Sequence, residues 1–164
     1  MTYKTSASEA RSAYKRGSMP IKTTKALTSK GVRMMMDAGI SKARELGIAV
    51  TIAIVDAGGH LLMLERMEGG RSHTTHSATT KAVSAASNRR PTSSKGAQGQ
   101  SLDVLHALGL ALAAGPQNWT PIGGGYPVFV DKECVGGIGV AGGDQKQDEE
   151  IARVALQSIE AKWE

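Results

Sequence analysis

Two strand–turn–strand units constrain this chain more than any other feature of its sequence. Residues 48–55 (IAVTIAIV) are rich in β-branched side chains, which predicts a strand covered on both faces. Asp56-Ala57-Gly58-Gly59 is a strong turn signal, and residues 60–66 (HLLMLER) return as a partner strand. The same arrangement recurs at residues 126–130 and 134–140, around a turn at Asp131-Lys132-Glu133. Two tight hairpins predict a largely antiparallel sheet with helices packed against it, an α/β chain of the α+β kind.

Helical spacing fills the intervals. In residues 21–46, Val32, Met35, Met36, Gly39, Ile40, Ala43 and Leu46 recur at three- and four-residue steps, and Gly47 stops the pattern. Met34, Met35 and Met36 read as part of a core stripe, or as the lining of an apolar ligand pocket. Residues 73–88 form an Ala/Ser/Thr-rich helix of small side chains, broken at Arg90-Pro91-Thr92. Leu102, Leu105, Leu108 and Leu112 predict a short helix ending near Gly115-Pro116. Asp144 with Gln147 three residues on forms a capping box, followed by a stripe of Ile151, Val154, Ala155, Ser158 and Ile159.

With 164 residues the chain fits one domain, read as residues 21–164 behind a basic, flexible arm at 1–20. Lys4, Arg11, Lys15, Arg16, Lys22, Lys25, Lys30 and Arg33 precede the first strand. Lys81, Arg89, Arg90 and Lys95 form a second basic group, and the net charge is +5. This charge suits solubility and attracts small anions. It follows no known nucleic-acid fold, and aromatics are only 4%, so base stacking is poorly supplied and nucleic acid is not an expected partner. The single Cys134 excludes an intramolecular disulfide and a thiolate metal cluster within one chain. The first residues lack an apolar export segment and no apolar run is of membrane-spanning length, so a cytoplasmic protein is expected.

Residues 50–67 (VTIAIVDAGGHLLMLERM) resemble the strand–turn–strand of the GlcG/HbpS family. Lys81-Ala82 in its Ala-rich helix, Arg90-Pro91-Thr92, Gly123-Gly124-Gly125-Tyr126-Pro127-Val128 and residues 136–152 (GGIGVAGGDQKQDEEIA) resemble further family elements, in order, over about residues 21–160. The resemblance implies a profilin-like fold with a central antiparallel sheet of about four to five strands. It also implies homo-oligomers, from tetramers to octamers. The family includes haem-binding members and others with no settled activity, and the domain occurs fused to cobalamin adenosyltransferases. The chain departs from the pattern in its basic arm and in the His73/His76 pair.

Several residues carry candidate chemistry. Asp56 ends the first strand, either as an Asx-turn acceptor or as a pocket-rim carboxylate. Arg66 ends the partner strand, where a symmetric hairpin would bring it near Asp56. It is either a structural ion pair or an anchor for a carboxylate or propionate. Lys81 lies among small residues, either salt-bridged to Asp56 or another acid, or free for anion binding or base catalysis. Gly123, Gly124 and Gly125 either turn tightly or present N–H groups to an anion. His73 and His76 share a helix side and are the metal candidates, with His60 and His106 as further imidazoles. Cys134 reads as an inert strand thiol.

These residues support a small-molecule-binding protein, with haem or a related tetrapyrrole as the leading ligand and cofactor. The alternative is a cofactor-independent lyase, isomerase or hydrolase acting on a small carboxylated metabolite. In it Asp56 and Lys81 serve as acid–base groups and Arg66 as anion anchor. A sensory protein contacting its partner through the basic arm is a third expectation.

Overall fold

The computed structural model describes residues 23–163. The expected basic arm lies outside them. Helix α1 spans Ser29–Glu45, strands β1 and β2 span Thr51–Asp56 and Leu61–Arg66, and helices α2 and α3 span Thr74–Asn88 and Val104–Ala114. Strands β3 (Gly125–Val130) and β4 (Glu133–Ala141) and helix α4 (Gln145–Gln157) complete the domain. The four strands lie in the order β2-β1-β4-β3, and each neighbouring pair is antiparallel. Both hairpins read from the sequence are present, joined at the centre by β1 and β4. The α+β architecture is the expected one.

Strand alternation sorts the core into two unequal faces. Ile52 and Ile54 of β1 and Ile138 and Val140 of β4 point to one side, where they meet Met35, Met36, Ile40, Ile151 and Leu156 from α1 and α4. Ala53 and Val55 point to the other side, against Ala78, Ala82 and Ala86 of α2. This explains why β1 is buried on both faces and reads as a continuous apolar run.

Helix α2 lies on a floor of glycines. A Cβ on Gly139 of β4 would sit 2.1 Å from the Ala78 carbonyl oxygen, and one on Gly137 would sit 2.3 Å from that of Ala82. Small residues on both the helix and the strand therefore set the approach, and larger ones would lift the helix off.

Two helix boundaries and several burials differ from expectation. Helix α1 starts at Ser29 because the Thr28 hydroxyl caps it, accepting the Gly31 N–H at 3.1 Å. Met34 is exposed while Met35 and Met36 are core, so the methionine run is a helix stripe. Helix α4 has the predicted capping box, but Leu156 joins the buried stripe and the helix ends before Ile159. The leucines of α3 form no buried stripe at all: none of its residues is buried, and Val104 and Leu105 are 86% and 79% exposed.

Candidate functional site

The closest approach of α2 to the sheet brings a charge into the interior. Lys81 is surrounded by alanines and glycines and is buried. Its Nζ donates to the Val140 carbonyl at 2.7 Å and to Asp148 Oδ2 at 2.8 Å. The Gly143 N–H donates to the other carboxylate oxygen, Asp148 Oδ1, at 3.0 Å. Gly124 passes so close that a Cβ there would lie 3.0 Å from Nζ, and its φ of +102° is one that glycine tolerates. Burial pushes the Asp148 carboxyl above its usual range, against the opposing pull of Lys81 and the Gly143 N–H. The pair joins α2 to α4, so helices from opposite faces of the sheet are tied through it.

At the far end of the same strands, the β1–β2 turn is organised by Asp56. Its Oδ1 accepts the Gly58 and His60 backbone N–H groups at 2.8 and 2.9 Å, an Asx-type turn. The His60 ring joins in, with Nδ1 at 3.2 and 3.1 Å from the two carboxylate oxygens. Partial burial raises the Asp56 carboxyl, but the donors of His60 and Gly58 together hold it below the ordinary value.

Two grooves meet at this turn. One, of about 410 Å³, is lined by Ala57, Gly58, Gly59, Val83, Ala114 and Trp119, with Ser87, Asn88 and Asn118 as polar edges. The next, of about 340 Å³, shares Ala57 and carries Lys25, Arg89, Lys132, Glu133 and Cys134. Lys25 is paired with Asp131, whereas Arg89 and Lys132 have no ion pair among the described residues. Beyond Trp119 a third groove, of about 350 Å³, is lined by His76, Lys81, Ala111, Pro116 and Ile122. One face of α2 and the loop around Trp119 thus carry a run of concave surface, mixed in polarity at its centre, basic toward Lys132 and apolar toward Ile122.

The structure brings only some of the sequence-predicted residues together. Lys81 meets Asp148, not Asp56: Asp56 pairs with Gly136, four residues along β4 from Val140, or about 13 Å at ~3.3 Å per residue. Arg66 does not approach Asp56 either, because the hairpin pairs Arg66 with Thr51 at the opposite end of β1. Its Nη1 instead donates to the Gly70 carbonyl at 2.7 Å. Gly123, Gly124 and Gly125 are buried, and the Gly125 N–H donates to Thr92 Oγ1 at 2.9 Å. His73 caps α2 without a side-chain bond, and His73, His76 and His106 are exposed. Among the described residues no three His, Cys, Asp or Glu side chains cluster to hold a metal ion. Cys134 is half-buried, with Sγ 3.4 Å from the Gly136 carbonyl oxygen.

Sequence reasoning missed Asp148, Trp119 and the His60–Asp56 contact. Asp148 was findable: it stands one turn before Ile151 and Ala152 on the apolar stripe of α4, where an acid needs a buried cation. The imidazole contact was findable too, since the turn brings residue 60 back over residue 56.

A four-stranded antiparallel sheet between unequal helical layers, with grooves along the Ala-rich layer, defines a small α+β domain with a concave flank. Residues 27–157 match the family model of the haem degrading protein HbpS-like proteins, and the chain belongs to that family. It is 33% identical to protein GlcG of Escherichia coli over 121 residues, 74% of this chain and 85% of GlcG. It is 28% identical to the corrinoid adenosyltransferase PduO of Salmonella typhimurium, covering 84% of this chain but only 40% of PduO. Its fold superposes on Klebsiella pneumoniae protein ORFY with a TM-score of 0.75 at 31% identity, covering 86% of this chain and 95% of ORFY. It superposes on a PduOC:heme complex with a TM-score of 0.74 at 26% identity, covering 85% and 99% of the two chains. No helix among the described residues is long and apolar enough to cross a membrane.

Proposed function

We propose that this protein binds haem or a related tetrapyrrole along the Trp119 side of α2, as a homo-oligomer in the cytoplasm. The observation that carries this reading is the meeting, at the β1–β2 turn, of a groove walled by Val83, Ala114 and Trp119 with one that carries Arg89 and Lys132. A tetrapyrrole asks for both in one place: a flat apolar wall for the ring and cations for its carboxylates. Val83, Ala114 and Trp119 supply the wall, and Arg89 and Lys132 supply charge not committed to another side chain. Imidazoles stand nearby, at His60 in the turn and at His76 in the groove beyond Trp119. When bound, haem would add a redox-active iron whose behaviour its axial ligand and surroundings tune. The related PduOC is known as a heme complex, which accords with this reading.

The exposed leucines of α3 support self-association. An apolar helix open to water is costly in a monomer and marks a contact surface. Ala111 and Ala114 of α3 also line the grooves, so a second copy covering α3 would close them from above. The single Cys134 suits a reducing compartment. The enzyme alternative loses its shared site, because Asp56, Lys81 and Arg66 stand apart and Lys81 is committed to Asp148. Haemin titrated into the purified protein should give a Soret band that shifts and saturates at a fixed ratio per protomer. A band that never departs from that of free haemin would refute haem as the ligand.

A further inference from the structure

We infer that the leucine face of α3 seats in the groove beyond Trp119 of a second copy of this chain, and reciprocally, so that this groove is completed by two chains. The inference rests on the self-association proposed above, not on the identity of the ligand, and names the surfaces that meet.

Helix α3 has two faces. Ala107 and Ala111 are half-buried and turn toward the body of the chain, where Ala111 lines the groove. Leu105, Leu108 and Leu112, three and four residues apart, share the opposite face and are each more than half exposed. Apart from His106, every residue of α3 is aliphatic or glycine, and a helix apolar on nearly all sides is ordinarily buried. Yet among the described residues no other helix or strand packs closely against it.

The neighbouring groove, of about 350 Å³, offers the complementary surface. Pro116, Trp119, Pro121 and Ile122 give it an apolar lining, and Ile122 is 60% exposed. The α3 of the same chain cannot fill it, because its alanine side already forms one wall and its leucines are turned away. The leucines of a second copy can. A projecting stripe and a recess side by side on one surface are what a two-fold interface needs, since each then meets its counterpart on the other chain.

Charge selects a second copy as the occupant. Between Asp103 and Asp131 the sequence contains no Asp, Glu, Lys or Arg, although the chain carries +5 overall. Identical basic chains repel, and this stretch lets them close without burying an unpaired charge. Lys81, which also lines the groove, is already paired with Asp148. Depletion of charged residues is the mark of an interface core. Residues 104–122 alone approach the roughly 20–30 residues that one side of a stable interface uses.

The test is disulfide cross-linking in a Cys134→Ser background, read by non-reducing electrophoresis beside light scattering. The double variant Leu108→Cys/Ile122→Cys should oxidise to a covalent dimer, whereas Leu108→Cys alone should stay a single chain on the gel. Leu108→Lys and Ile122→Glu should each lower the mass in solution, and the two together should recover it, because the new charges meet across the interface. Both positions are exposed, so these variants keep the fold. Equal cross-linking by Leu108→Cys alone would mean that α3 meets α3, and a double variant that closes only within one chain would mean that the groove receives no partner. Either result would overturn this assignment and leave self-association standing. A monomeric wild type would refute self-association itself, and this inference with it.

Discussion

The two faces of the sheet are built from different materials. On the α1/α4 face, long side chains interlock: Met35, Met36, Ile52, Ile138, Ile151 and Leu156 are all fully buried. On the α2 face, contact is mostly between alanines and glycines, with Val55 the one large side chain fully buried there. The first face is held by apolar volume and the second by backbone proximity. A helix held by proximity leaves its flanks uncovered, and the grooves run along those flanks. The difference teaches that the interlocked apolar core and the groove-bearing surface lie on opposite sides of one sheet, with the Lys81–Asp148 pair joining them.

The most severe way to break this division is at that joint. Asp148→Ala leaves a buried ammonium without its counter-charge and should cost about 3–5 kcal/mol, read by urea unfolding. The double change Lys81→Met/Asp148→Leu should recover most of the loss, since both charges then leave together. Next in size is the α1/α4 face, where Met36→Ala should cost about 2–5 kcal/mol by the same measurement. On the α2 face the damage comes from adding volume. Gly139→Ala should cost about 1–3 kcal/mol, because the new methyl meets the Ala78 carbonyl and the helix must move.

Surface changes should sharpen the comparison without loss of fold. Leu105→Ser/Leu108→Ser should shift the unfolding free energy by no more than about 0.5 kcal/mol per site. By light scattering the same variant should drop to a smaller assembly, and an unchanged mass would remove α3 from the interface. The smallest expected effect is on acid stability. The Asp56 carboxyl is held low in the native state, so its contribution is present above the ordinary aspartate value and is lost as pH falls through the native one. Asp148 has the opposite sign: its native value is raised, so its contribution is present in acid and is lost as pH rises. Asp56→Asn should therefore flatten the loss of stability below about pH 4, measured by thermal melts across pH.

Much of the fold was legible in the sequence because it rests on local signals. The DAGG turn, the β-branched run before it and the Asp144/Gln147 capping box each act within a few residues, and each appears where expected. The site was less legible because it depends on register and on contacts between distant segments. Placing Arg66 beside Asp56 treated the strand ends as if they lay next to the turn, whereas the ladder puts Arg66 opposite Thr51. Lys81 was singled out correctly as a buried cation, but its partner lies 67 residues away, beyond any periodic signal of α2. The α3 leucines show the converse. Their spacing is that of a buried stripe, yet they face water in the single chain, and spacing alone does not say which surface covers them.

Hydrogen exchange with and without haemin tests the division of labour most directly. The account predicts added protection at residues 57–60, 83–89 and 114–119, with α1 and α4 unchanged. Protection confined to α1 and α4, or none at the β1–β2 turn and the Trp119 loop, would contradict it.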